Sequence, residues 1–199
     1  MPNRYEVLHP FVQRAMGTAV EIGTFRGDFA EYFLRESPYS YLFCIDPYKK
    51  FDEGIYKDNI NSHSQEQYDA IYEQTRKRLE AVAPRRFQIK RQLSIEAAKD
   101  FPDQSVNFLY IDGNHDYKHV MEDLTTWLPK MARNGILVGD DCVDKEEHGH
   151  TRDANGDVRI EANGHFYGYY GVRKAVTDFC RARGLRFEFL EADQFIIHL

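Results

Sequence analysis

The stretch Thr18–Asp46, TAVEIGTFRGDFAEYFLRESPYSYLFCID, decides the fold. It reads as a short apolar strand from Ala19 to Ile22, a glycine-bearing turn from Gly23 to Gly27, and a helix. A second apolar strand, Tyr41 to Ile45, follows and ends on an acid, Asp46. The helix carries its apolar residues at Phe29, Tyr32, Phe33 and Leu34, a helical spacing. A glycine turn after a first strand lets a ligand approach the backbone, because no Cβ stands in the way. An acid at the tip of the second strand can accept both hydroxyls of a ribose. The unit suits an adenosine-like ligand.

The turn narrows the choice. A dinucleotide-binding turn would read G-x-G-x-x-G and seat a phosphate on the helix N-terminus. Here only Gly23 and Gly27 are present, in the form E-x-G-x-x-x-G, and the helix opens on Asp28, whose carboxylate would repel a pyrophosphate. This form resembles motif I of the class I S-adenosylmethionine-dependent methyltransferases, whose ligand carries no phosphate. The resemblance implies that Glu21 and the turn from Gly23 through Thr24 and Phe25 to Gly27 hold the amino-acid end of S-adenosylmethionine. Asp46 would hold its ribose. Gln92 and Ser94, after the third strand, stand where this fold meets the adenine; Ser94 also reads as the N-cap of a short helix.

Composition bounds the rest. A chain of 199 residues suits one domain with a substantial core. The net charge of −6 gives no basic excess for phosphates, so no nucleic-acid partner is expected. No stretch approaches the ~20 apolar residues that cross a bilayer, and the N-terminus MPNRYEVLHP lacks the apolar core of a signal peptide. Cys44, Cys142 and Cys180 show no metal-binding spacing, and Cys44 and Cys180 fall in apolar patterns as buried thiols. A cytoplasmic enzyme without a membrane partner is expected, with homo-oligomerisation left open.

Strand and helix signals alternate along the chain, which points to α/β with a mostly parallel sheet. A leading helix is expected over Tyr5 to Met16, and another bears Tyr68, Ile71, Tyr72, Thr75, Leu79 and Val82 before Pro84. Arg86 to Lys90 reads as a third strand and Ser105 to Ile111 as a fourth, ending on Asp112. The next helix carries Val120, Leu124, Trp127, Leu128 and Met131, and Asn134-Gly135 turns into the strand Ile136 to Val138. A helix from about Tyr170 to Arg183 leads to closing strands Leu185 to Leu190 and Phe195 to Leu199. The short Ala192-Asp193 turn between them requires antiparallel pairing. Seven strands ending in such a hairpin resemble the Rossmann-like methyltransferase sheet, with helices on both faces.

Ligands of open α/β sheets bind outside the carboxyl ends of the strands. Acids recur there: Asp46, Asp112, and the pair Asp140 and Asp141. Three converging carboxylates either raise one another's pKa or bind a hard divalent cation, and Mg²⁺ suits a few carboxylates plus water. Asp112, Asp140 and Asp141 are therefore the expected metal ligands. Their spacing resembles the cation-dependent O-methyltransferases of the catechol and caffeoyl-coenzyme A type, and the Asp-Asp form resembles the macrocin-type sugar enzymes. His115 follows Asp112 by three residues, where the catechol type carries a lysine base. Histidine titrates near neutrality and can replace it. The core D-G-x-H-x-Y, IDGNHDY here, is similar to that of small bacterial methyltransferases.

The segment 143–165 is charged and glycine-containing and is expected to be a substrate lid, with Phe166, Tyr167, Tyr169 and Tyr170 as walls. His148, His150 and His165 read more simply as a solvated tip than as metal ligands. The resemblance implies methyl transfer to a small-molecule hydroxyl on a sugar, polyketide or phenol, with His115 and Asp112 catalytic. Two other classes stay open: a non-catalytic S-adenosylmethionine-binding or partner-binding module, and a nicotinamide-dependent oxidoreductase.

Overall fold

Short apolar strands alternate with amphipathic helices because each strand pairs in parallel and each helix covers a face of the sheet. The structure, a computed structural model, describes residues 2–52, 59–143, 151–162 and 165–199. The parallel strands are β1 (Gly17–Ile22), β2 (Ser40–Ile45), β3 (Phe87–Lys90), β4 (Val106–Ile111) and β5 (Met131–Gly139). A separate antiparallel pair is formed by β6 (Val158–Ala162) and β7 (His165–Tyr170). The hairpin of β8 (Arg186–Phe189) and β9 (Phe195–His198) completes the main sheet antiparallel to β5, in the order β3-β2-β1-β4-β5-β9-β8. The expected seven-stranded, mostly parallel sheet is thus the fold. Its order reverses between β1 and β4, the point at which such sheets open a ligand crevice.

Side-chain alternation along the strands sorts the core into two layers. On one face Ala19, Phe108 and Tyr110 pack with α1 (Arg4–Val12), α2 (Asp28–Glu36) and α3 (Gln65–Val82) through Leu8, Phe29, Phe33 and Leu79. On the other, Val20, Leu109 and Leu137 pack with α4 (Ser94–Ala97), α5 (Tyr117–Trp127) and α6 (Val172–Arg183) through Ala97, Leu124, Trp127 and Val176. The three cysteines are buried and unpaired to one another.

Several expectations are corrected. The first helix ends at Val12 rather than Met16. Met131 opens β5 rather than closing the preceding helix, and the β4–β5 register shifts between Val106 and Phe108 while Asn134 takes a φ of 65°. Leu93, in extended backbone, is the N-cap of α4, so Ser94 is its first residue. The segment after Val143 is not all loop, since it contributes β6 and the start of β7. His148 and His150, and the side chain of His165, lie outside the described residues.

Phe108 is fully buried, with ring centroids 4.9 Å from Phe33 and 6.4 Å from Phe29. Phe108→Ala should cost ~3–5 kcal/mol of unfolding free energy in a urea titration, since the rigid sheet cannot collapse onto the cavity. A loss below ~1 kcal/mol would contradict this packing.

Candidate active site

Main-chain hydrogen bonds line up the residues that leave the strands. Gly23 N donates to Ile45 O at 2.8 Å, Asp112 N to Ile22 O at 2.9 Å, and Asp140 N to Ile111 O at 3.0 Å. Each strand's last carbonyl thereby fixes the first residue beyond its neighbour, which sets Gly23, Asp112 and Asp140 in one row. Above this row lies a cavity of about 630 Å³. It is lined by Glu21 and the turn residues Gly23 to Arg26, by Asp46, Leu93 to Ile95, Asp112 to His115, Asp123 and Asp141, and by Arg4, Tyr167 and Tyr170.

At one end the turn is held tightly. Gly23 has a φ of +87°, and a Cβ built there would stand 1.9 Å from Asp112 O, so only glycine fits. Phe25 also takes a positive φ, 43°, and its carbonyl accepts the Tyr48 hydroxyl and Thr75 Oγ1, each at 2.8 Å. Asp46 Oδ2 accepts Phe25 N and Oδ1 accepts Tyr48 N, both at 2.8 Å. Burial pushes the Asp46 carboxyl up to about 6 against the pull of these two N–H groups. One lone pair on each oxygen remains to accept another hydroxyl.

Glu21 is 1% exposed, and burial, with the charges of Asp112, Asp46 and Asp28 nearby, pushes its carboxyl up to about 8. Glu21 Oε2 is buried with no hydrogen-bond partner among the described residues, and the Thr24 hydroxyl beside the carboxyl pulls its pKa partly back down. Both line the cavity. A buried polar atom left in this state is costly, which fits Glu21 to a polar ligand such as an ammonium or carboxylate. The turn, the buried Glu21 carboxyl, Thr24 and Asp46 could hold a polar ligand with a ribose, S-adenosylmethionine among them.

Further along, the sequence expectations are met unevenly. Ser94 lines the cavity, but its Oγ accepts Trp127 Nε1 at 2.8 Å. Gln92 is not among the lining residues; Leu93 and Ile95 are. Asp123 was missed by the sequence reading. It is 6% exposed on α5, and burial pushes its carboxyl up to about 7. An acid three residues after Val120 on an apolar helical stripe was the available signal.

At the other end the acids separate. Asp140 Oδ2 accepts the Tyr110 hydroxyl at 3.0 Å and Arg4 Nη1 at 2.6 Å, and Oδ1 accepts Asp141 N at 2.7 Å and the Gln194 amide. With four donors on its two oxygens and 4% exposure, Asp140 faces into the protein. Burial, with Asp112 and Asp141 nearby, pushes its carboxyl above the ordinary value, and Arg4 pulls it back down. Among the described residues, the donor atoms that come within 4.8 Å of one another are those of Asp112, His115 and Asp141. Of the expected trio Asp112, Asp140 and Asp141, the structure keeps Asp112 and Asp141 beside His115, while Asp140 is engaged by Arg4. Two oxygens and an imidazole nitrogen suit a divalent cation, Mg²⁺ less specifically than an all-oxygen set.

His115 is 7% exposed, with Nε2 3.0 Å from Asp141 Oδ2 and 3.6 Å from Asp112 Oδ1. Burial opposes ionisation of Asp141, but His115 beside it holds the carboxyl below its ordinary value; Asp141 adopts a φ of 60°. The His115 ring lies parallel to Tyr170 at 4.8 Å, and its carbonyl accepts Gly171 N at 2.8 Å, so the end of β7 holds the imidazole in place. Of the four expected aromatic walls, Tyr167 and Tyr170 line the cavity, while Phe166 and Tyr169 pair with each other. His119 is tied to Asp116, which holds its pKa up, and Asp116 also caps α5.

Residues 20–142 match the sequence model of a family described as a methyltransferase domain. Over 54 residues the chain is 37% identical to the uncharacterized protein y4gI of Sinorhizobium fredii, a match that covers 27% of this chain and 6% of that protein. The chain thus spans a small fraction of that relative. Among solved structures it resembles an O-methyltransferase from Bacillus cereus in complex with SAH, with a TM-score of 0.60 and 16% identity over 96% of this chain and 77% of the other. It also resembles the O-methyltransferase TomG of Streptomyces achromogenes, involved in tomaymycin synthesis, with a TM-score of 0.60 and 15% identity over the same shares, 96% and 77%.

Glu21 yields a pH test. The folded chain keeps its proton up to about pH 8, whereas an ordinary glutamate loses it near 4.5. The native state therefore binds more protons across that window, and the contribution of Glu21 to stability falls as pH rises through it. Glu21→Gln should gain on the parent between pH 5 and pH 8, by a few kcal/mol at most, in urea unfolding of the ligand-free protein. An equal difference at both pH values would contradict a protonated, buried Glu21.

Proposed function

We propose that this chain, which belongs to the methyltransferase-domain family, transfers a methyl group from S-adenosylmethionine to a hydroxyl of a small molecule such as a sugar, polyketide or phenol. The observation that carries this reading is the joining of two half-sites in one cavity. Glu21, Thr24 and Asp46 offer acceptors at one end, and His115 with Asp112 and Asp141 offers a base flanked by acids at the other.

Bound S-adenosylmethionine supplies a methyl group on a positively charged sulfur, already activated for displacement by oxygen. The chain has then to hold, align and deprotonate. Glu21 and Thr24 hold the amino-acid end, and Asp46 accepts the ribose hydroxyls. At the opposite end His115 takes the proton of the acceptor hydroxyl, and Asp141, 3.0 Å from Nε2, stabilises the imidazolium that results. Tyr170 keeps the ring from turning. A Mg²⁺ ion held by Asp112 and Asp141 would lower the pKa of the acceptor hydroxyl. Tyr167, on β7 at the cavity wall just after residues 143–165, supports a lid role for that segment.

Calorimetry should give micromolar binding of S-adenosylhomocysteine and far weaker binding of NAD; tighter NAD binding would overturn the reading in favour of hydride transfer. Asp46→Ala should weaken S-adenosylhomocysteine by about 1–3 kcal/mol, the cost of ribose hydroxyls without their charged partner. His115→Gln should lower turnover by ~10²–10⁴-fold with cofactor affinity nearly intact. Turnover equal to the parent's would remove His115 from the reaction. Chelator should abolish turnover and Mg²⁺ restore it; full turnover in chelator would remove the metal.

A further inference from the structure

Arg4 stands apart from everything the strand-end pattern predicts. It is the first residue of α1, and it reaches Asp140 Oδ2 at 2.6 Å and Asp112 Oδ2 at 3.1 Å, across 108 residues of sequence to Asp112. Its placement is rigid. The Asn3 side chain accepts from Tyr5 N and Glu6 N while Glu6 reaches back to Asn3 N, so the first turn is closed from both sides. Leu8 and Val12 are fully buried under the same helix, and the Tyr32 hydroxyl donates to Tyr5 O at 3.0 Å with the two rings 4.8 Å apart. An arginine is always charged, and here its Nη1 alone bridges the two carboxylates.

Three carboxylates converge at these strand ends, and repulsion among them needs a counter-charge. Arg4 provides a fixed one. Its partner, Asp140, is fully engaged by Arg4, Tyr110, Asp141 N and Gln194, which turns this acid away from the cavity. Asp112 and Asp141 stay beside His115 at the cavity wall. Taking up one acid leaves two for the acceptor side.

We propose that Arg4 is a positioning residue for the transfer: its guanidinium sequesters Asp140 and tethers Asp112, so that Asp112 and Asp141 alone face His115 and any divalent cation. The proposal rests on the methyltransferase reading above. It makes the acid cluster a site with a resident cation, whose affinity for a second cation is held down by Arg4. Docking of α1 is then a condition for an ordered site, because Asp112 belongs to the β4 end and Asp140 to the β5 end, and Arg4 joins the two.

Mn²⁺ titration of the full chain, followed by the electron paramagnetic resonance of the unbound ion, tests it without turnover. Arg4→Gln should bind Mn²⁺ about tenfold tighter than the parent or better, since a positive charge has left and Asp140 is released. Adding Asp140→Asn to that variant should cancel the gain. In the parent background Asp140→Asn should shift Mn²⁺ affinity only a few-fold, whereas Asp141→Asn should abolish binding. Arg4→Gln should also lose kcat at unchanged KM for S-adenosylmethionine, and Arg4→Lys, which keeps the charge, should stay near the parent in Mn²⁺ affinity and recover part of that kcat. Mn²⁺ affinity unchanged or weaker in Arg4→Gln would overturn the proposal. If that variant does not fold, the Asp140→Asn and Asp141→Asn pair decides, and equal loss in both sinks it. S-adenosylhomocysteine binding by the parent is scored separately: its absence undermines the methyltransferase reading, while its presence with no Mn²⁺ change undermines Arg4 alone.

Discussion

Asp112 and Asp140 leave adjacent parallel strands, and the Arg4 guanidinium closes the gap between them with contacts of 3.1 and 2.6 Å. Parallel pairing forces this proximity. Because Ile111 pairs with Gly139, whatever follows each strand must emerge side by side. Carboxylates in those positions face one another across a few ångströms, in an environment poorer than water at screening them. The remaining features of this end follow as responses: the cation from α1, the hydroxyl of Tyr110 and amide of Gln194 on Asp140, and the imidazole of His115 against Asp141. Removing one of these groups would leave the others with a buried charge that lacks its partner.

The opposite end obeys a different constraint. There the backbone, not a cation, does the holding: Gly23 and Phe25 take left-handed conformations, and the Asp46 carboxylate is gripped by two N–H groups. Glu21 is kept neutral by burial, with an oxygen directed at the cavity and no partner among the described residues. A site of this kind is stiff before any ligand arrives, so little ordering entropy is lost on binding. The two ends together fit a ligand with a polar head, a ribose and a reactive centre between, consistent with the family to which residues 20–142 belong.

How much of this the sequence carries depends on the range of the interaction. The unit from β1 to Asp46 is legible because its signals are local: strand alternation, two turn glycines and a helical stripe within thirty residues or so. The strand-end acids are legible because topology alone places them. Arg4 is not, since a single arginine at a helix start has no pattern, and its partners come from strands far along the chain. Nor is the inward turn of Asp140, which depends on Tyr110 and Gln194 from two other strand regions. The β6–β7 pair is not legible in the sequence, because its strands are short, carry a register shift between Ile160 and Glu161, and lie outside the main sheet. Asp123 hid on an apolar helix face, where its neighbours Val120, Leu124 and Trp127 dominate the periodicity.

A crystal structure of the protein with S-adenosylhomocysteine and Mn²⁺ would address the central claim, that one cavity joins a cofactor-holding turn to an acid-flanked base. The account predicts the ribose hydroxyls on Asp46, the amino-acid end at Glu21 and Thr24, the sulfur toward His115, and anomalous signal from Mn²⁺ beside Asp112 and Asp141 with Asp140 still on Arg4. A ligand bound outside this cavity, or in it with the ribose away from Asp46 and the sulfur turned from His115, would contradict it.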